Sequence, residues 1–281
     1  MMYRAIAFFF VISSLPCYSQ PETEVYLADF LEGDNPEIIN PKNISNNPGY
    51  DNQPSFWGDS KSLLYSRTVN GQTEIARYFV ESGNTEIITN TPQGGEYSPT
   101  QMPDGRISSI RLDTTGLQLL YAYNLNGNPQ VLVPELVIGY HAWISDGEIV
   151  TFVLGDPATM QLVNTKTSQA KVVAENIGRS LHKIPNSGSF SYVDKSGEEW
   201  LIKSMNPETE ETLNIAKTLA GSEDYCWTPS GVLIMGRGSK LYFFSDEEDW
   251  QEFADLASNG VAQITRVSVS PDGRMIAIAG Q

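Results

Sequence analysis

Apolar and polar residues alternate in short runs along most of this 281-residue chain, and the runs pair about tight turns. The last pair shows the pattern. In RVSVSPDGRMIAIAGQ, residues 266–281, Val267 and Val269 alternate with polar neighbours, Ser270-Pro271-Asp272-Gly273 makes a turn, and Ile276 and Ile278 resume the alternation. Alternation of this kind gives a strand with one buried face. Asp-Gly or Ser-Gly between two such runs gives a hairpin, because Gly reaches positive φ without a Cβ clash.

Five earlier segments match this hairpin: PSFWGDSKSLLYS from Pro54, PTQMPDGRISSIR from Pro99, HAWISDGEIVTFV from His141, HKIPNSGSFSYV from His182 and YCWTPSGVLIMG from Tyr225. The final turn residues are Ser60, Gly105, Gly147, Gly188, Gly231 and Gly273, spaced by 45, 42, 41, 43 and 42 residues. Ser60 departs from the glycine pattern, so a slightly different turn is expected there. Each interval holds two further strand candidates, such as TEIARYFV and TEIITN after the first hairpin, and KLYFFSD and GVAQIT after the fifth. Four short strands per 41 to 45 residues predict a propeller blade rather than a solenoid coil.

A two-stranded hairpin alone is barely stable, so the closing one needs partners. The segments TEVYLADF and EIINPKNIS, ahead of the first hairpin, supply two strands. The expectation is an all-β, six-bladed propeller whose last blade is built from both ends of the chain, leaving no open edge. Four residues before the final turn residue stand Phe56, Trp143, Ile184, Trp227 and Val269, with Gln101 as the exception. These are expected to pack between blades.

Residues 1–19 place Arg4 before an apolar run from Ala5 to Ile12, then Ser13, Ser14, Leu15, Pro16 and the small residues Cys17 and Ser19, the layout of a secretory leader. The expected division is a leader over 1–19 and one propeller domain over 20–281, periplasmic or secreted and monomeric, with no membrane span after cleavage. Pro16 stands where a lipoprotein signal wants a small residue before Cys17. The mature chain would keep Cys226 as its only cysteine, so packing rather than disulfides must hold it together. With 18 Lys and Arg against 34 Asp and Glu, the net charge of −16 excludes the electrostatic footprint of a nucleic-acid binder.

The motif PxFWGDSKSLLYS followed by EIARY, with the SPDG hairpin and its MIAIA strand, resembles the WD-repeat-like propeller repeats of the TolB family. The resemblance covers essentially the whole mature chain and implies the blade type. TolB's additional N-terminal α/β domain has no counterpart here, since only Gln20 to Thr23 precede the first strand candidate, so the resemblance does not carry TolB's role or partners to this chain.

No Gly-x-Ser-x-Gly elbow, His-Glu-x-x-His helix, EF-hand loop or dinucleotide loop is present. One constellation remains. His141 and His182, the only histidines, both stand six residues before a final turn residue, and Tyr225 holds that position in the next repeat. Acidic residues Asp51, Glu96, Glu223 and Asp224 lie near the starts of inner strands. The expected ligand-binding set at one channel mouth is therefore His141, His182, Tyr225, Asp51, Glu96 and Asp224, able to hold a polar ligand or a divalent metal. The competing reading packs His141 between blades alongside Trp143. The acidic run DEEDWQEFAD, 246–255, reads as a short helix or solvated loop. The functional expectation is a module that binds an envelope or extracellular protein or glycan, without a required cofactor. The alternatives are a channel-site hydrolase or lactonase using a metal or acid/base group, and a structural module of an envelope complex.

Overall fold

The computed structural model describes residues 20–245 and 249–281; the expected leader lies outside the described residues. Six four-stranded antiparallel sheets stand around a central channel. Blade 1 spans residues 52–87, blade 2 94–133, blade 3 138–175, blade 4 177–217 and blade 5 225–255. Helix among the described residues is limited to one 3₁₀ turn, Ala257–Asn259, on the way into blade 6.

Blade 6 joins the two ends of the chain, as the unpaired terminal hairpin requires. Its strand order from the channel outward is Ile264–Val269, Met275–Gly280, Glu24–Leu31 and Glu37–Asn43. Glu24 pairs with Gly280 and Asp29 with Met275. Period-two alternation sends Tyr26, Ala28, Phe30, Ile276 and Ile278 against Ile234 and Leu241 of blade 5. Val25 and Ala277 point the other way, onto Phe56, Leu63 and Tyr65 of blade 1. Both faces of the shared blade are thus buried, and each fully buried Ile contributes about 1.5–3 kcal/mol by its removal from water.

Two turns solve the positive-φ requirement without glycine. Ser60 takes φ 60° itself, and its buried hydroxyl accepts the Asp272 amide of blade 6 at 3.1 Å. In the fourth hairpin the left-handed residue is Asn186 at φ 56°, not Gly188. That shift has a consequence for strand facing. Trp143 pairs with Ile149 and Trp227 with Leu233, but in blade 4 it is Lys183 that pairs with Phe190. Lys183, not Ile184, therefore holds the position of the two tryptophans.

The fifth repeat also departs from expectation. Its outer strand is Asp249–Asp255, inside the acidic run, whereas residues 260–263 lead into blade 6. A one-residue bulge at Phe253 breaks the alternation: Leu241 pairs with Ala254 and Tyr242 with Glu252. Trp250 packs on Phe244 and Phe253 on Phe243, while Asp249, Glu252 and Asp255 stay exposed. Residues 246–248 of the run lie outside the described residues.

Candidate functional site

All six inner strands run from one mouth of the channel to hairpin turns at the other, and together they line a cavity of about 390 Å³. His141, His182, Tyr225 and Asp224 are on its wall. Asp51 and Glu96 are not; both are fully buried elsewhere. Asp51 accepts from the Thr68 amide at 2.9 Å and from Asn47 at 3.0 Å, and burial raises its pKa to about 6 against those bonds and the Arg67 charge. Glu96 accepts from Thr91 and Tyr123 at 2.6 and 3.0 Å, while its Oε2 has no partner among the described residues. Burial first, and then the Glu74 carboxylate, hold Glu96 up at about 7.

The two histidines stand at equal distances from their turns but face opposite ways, because the fourth hairpin is one residue out of step. His141 points back to blade 2, with Nε2 2.7 Å from Ser108 Oγ. Its counterpart in blade 4 is Leu181, which is buried in the joint between blades 3 and 4. His182 points forward to blade 5, its ring 4.7 Å from that of Tyr225, with Nε2 3.0 Å from Ser180 Oγ. Burial lowers both imidazoles to about 4, so both are neutral at pH 7. Trp143 and Trp227 are inter-blade residues, each donating its indole N–H at 2.9 Å to a serine of the preceding blade, Ser108 and Ser191.

The strongest electrostatic feature of the wall joins the expected Asp224 to two arginines that were not among the expected residues. Asp224 accepts from Arg179 Nε at 3.1 Å and Nη2 at 2.5 Å, and lies 3.0 Å from Arg266 Nη1. Burial disfavours the Arg179 charge, but Asp224 outweighs it and raises that pKa. Arg266 also donates to Tyr140 OH at 3.4 Å. Glu223 sits 3.7 Å from Arg179 and 2.8 Å from Lys195. The signal for this cluster was present in the repeat: Tyr140, Asp224 and Arg266 each stand one residue before an aligned inner-strand position, at His141, Tyr225 and Val267.

No three His, Cys, Asp or Glu side chains are grouped as a metal-binding set among the described residues. The cluster of two guanidiniums, one carboxylate and one phenol suits binding of an anion, with neutral imidazoles and hydroxyls nearby. A larger groove of about 800 Å³ opens between blades 3 and 4 over Ile144 and Leu162, but Lys171 at its rim is already paired with Glu210.

A TolB structure from Agrobacterium tumefaciens superposes with a TM-score of 0.73 at 12% identity, covering 92% of this chain and 98% of that one. The fold is that of a TolB-like β-propeller. The same ring is found in a gluconolactonase from Xanthomonas campestris, with a TM-score of 0.66 at 10% identity over 93% of this chain and 97% of that one. An oligogalacturonate lyase in complex with manganese gives 0.60 at 14% identity over 88% and 82%. No family model matches the chain, and no curated protein matches it in sequence. At these identities the TolB-like propeller is a likeness of fold, and function has to be argued from the channel.

Proposed function

We propose that the protein is an exported recognition module that binds an acidic glycan in its central channel. The observation that carries this reading is the inversion of charge on the channel wall. Arg179, Lys183 and Arg266 stand there against the single carboxylate of Asp224, in a chain where acids outnumber bases 34 to 18. At physiological salt the screening length is about 8 Å, so a ligand inside the channel responds to these local cations more than to the distant net charge. Guanidinium forks match carboxylates in a bidentate geometry that lysine does not offer.

The rest of the wall favours a sugar over a peptide. Ser55, Ser98, Thr100, Ser180 and Ser268 present short hydroxyls, and His182 a neutral imidazole. These groups can both donate to and accept from a hydroxyl-dense ligand. Two of the proteins that share the fold are named for sugar-acid chemistry, which agrees with this reading without carrying it.

Calorimetric titration of tri-galacturonate and of its carboxyl-reduced, neutral counterpart tests the proposal. The acid is expected to bind at least about ten-fold more tightly, and Arg266→Gln to remove about ten-fold of that affinity. Equal affinity for both sugars, or binding to acidic peptides alone, would sink the reading. Release of cleaved or rearranged sugar in the same samples would make the channel an enzyme site instead.

A further inference from the structure

Arg266 and Tyr140 belong to blades 6 and 3, three places apart in a ring of six. Their contact therefore crosses the channel instead of joining neighbours. Arg266 Nη2 donates to Tyr140 OH at 3.4 Å, and the guanidinium carbon lies 5.8 Å from the ring centre. Asp224, at the entry to blade 5, braces the span through an ion pair with Arg266 while accepting from Arg179 of blade 4. Side chains of four consecutive blades thus meet at one level. That level is near the mouth where the inner strands begin. Trp143, Trp227 and Val269 stand three residues further along the same strands, toward the hairpin turns, which is about 10 Å at about 3.3 Å per residue.

We infer that this bar makes the channel a blind socket for the end of an acidic glycan chain, which enters from the hairpin-turn mouth with its carboxylate toward Arg266 and Arg179. The inference rests on the acidic-glycan reading above and adds direction and end-specificity to it. A chain threaded right through would have to break the Arg266–Asp224 pair and the Arg266–Tyr140 bond that cross its path. A chain end avoids that loss. The Thr265 carbonyl and Tyr140 accept from two of Arg266's N–H donors and Asp224 pairs with its charge, and a guanidinium carries five donors, so some remain for an incoming carboxylate. The cavity of about 390 Å³ lies at the small end of the range for ligand pockets, roughly 300–1,000 Å³, which suits a short terminal segment rather than a long internal one.

Three probes decide this: tri-galacturonate, the same sugar with a bulky aromatic label on its reducing end, and the same sugar labelled on its non-reducing end. One labelled form is expected to lose at least about ten-fold in affinity while the other stays within about two-fold of the unlabelled sugar, since only one end faces the bar. Tyr140→Ala opens the bar and is expected to bring the excluded form back to within about three-fold of the unlabelled sugar, whereas Tyr140→Phe keeps the ring and the discrimination. If both labelled sugars bind wild type as the unlabelled one does, the ligand threads or lies on the surface and the socket is wrong. If both lose affinity, the site encloses a whole ligand and end recognition is likewise wrong. Failure of all three to bind overturns the acidic-glycan reading together with the socket. Should Tyr140→Ala fail to fold, the comparison of labels on wild type still decides.

Discussion

The imidazole Nε2 of His141 lies 2.7 Å from the hydroxyl oxygen of Ser108, across the joint between blades 3 and 2. The same joint recurs between blades 5 and 4, where Tyr225 OH donates to Ser191 at 2.8 Å. In both, a tryptophan two residues on donates to the same serine. The difference is one atom: His141 Nδ1 is buried without a hydrogen-bond partner among the described residues. A phenol at that position reaches the serine and has no second polar atom to bury.

His141→Tyr is therefore expected to stabilise the protein, since a buried unpaired nitrogen costs about 1–3 kcal/mol. The position borders the channel cavity, which leaves room for the larger ring. Thermal melting should rise by about 2–4 °C, the shift that 1 kcal/mol produces in a chain of this size. A lowered melting point would mean that Nδ1 serves something the ring of a tyrosine does not.

Glu96 and its neighbour Glu74 give the joint between blades 1 and 2 a pH dependence of definite sign. Glu96 ionises near 7 in the folded protein against 4.5 in an ordinary environment, so the folded state binds the extra proton. Its contribution to stability is complete below about 4.5 and is lost as pH rises through about 7. His141 and His182 act in the opposite direction, losing their contribution as pH falls from 6.5 through about 4. At pH 6.5 the unfolded histidines are still half protonated, so their contribution goes on rising toward pH 8 while that of Glu96 falls. Between pH 6.5 and 8 the two effects nearly cancel, so melting of wild type is expected to stay about level, and that of Glu96→Gln, which keeps only the histidine effect, to rise by about 2 °C. Parallel profiles for the two proteins would remove Glu96 as the cause.

Asp224 should move stability and ligand affinity in opposite directions. Asp224→Asn keeps the size of the side chain but leaves Arg179 and Arg266 without their shared counter-charge. Because the Arg179 side chain is 36% exposed, solvent takes up part of the loss, and the cost is about 1 kcal/mol rather than that of a fully buried pair. The freed guanidiniums should then hold tri-galacturonate several-fold more tightly. A variant weaker in both respects would show that Asp224 positions the arginines rather than competing with the ligand.

Removing residues 264–281 deletes the two inner strands of blade 6, including fully buried Ile276 and Ile278. Even one Ile→Ala change at such a site costs about 2–5 kcal/mol. The truncated chain is expected to lose its cooperative melt altogether. A transition within about 2 °C of the full protein would contradict ring closure by these strands.

The architecture was legible because each blade repeats one hairpin, and because alternating residues such as Ile276 and Ile278 have to be covered from outside their own blade. Residue-level facing was harder to read. Counting back from Gly188 put Ile184 and His182 one place out, since Asn186 takes the left-handed turn and the hairpin there is differently phased. The strand Asp249–Asp255 was hidden by its acidic exposed positions and by the bulge at Phe253. Four of the six expected site residues line the channel, whereas Asp51 and Glu96, equally near strand starts, turn into the protein. Arg179 and Arg266 went unnoticed because charge on an inner strand looks like ordinary surface until the ring brings opposite blades together.

The pairing of Glu24 with Gly280 sets the two ends of the propeller side by side at one end of an antiparallel ladder. Tension applied through both ends therefore loads that ladder in the unzipping direction, one residue pair at a time from Glu24–Gly280 toward Asp29–Met275, instead of shearing all of its hydrogen bonds together. A ring held together by continuous packing is in this respect mechanically soft: pulled from its ends, it peels open at a single seam.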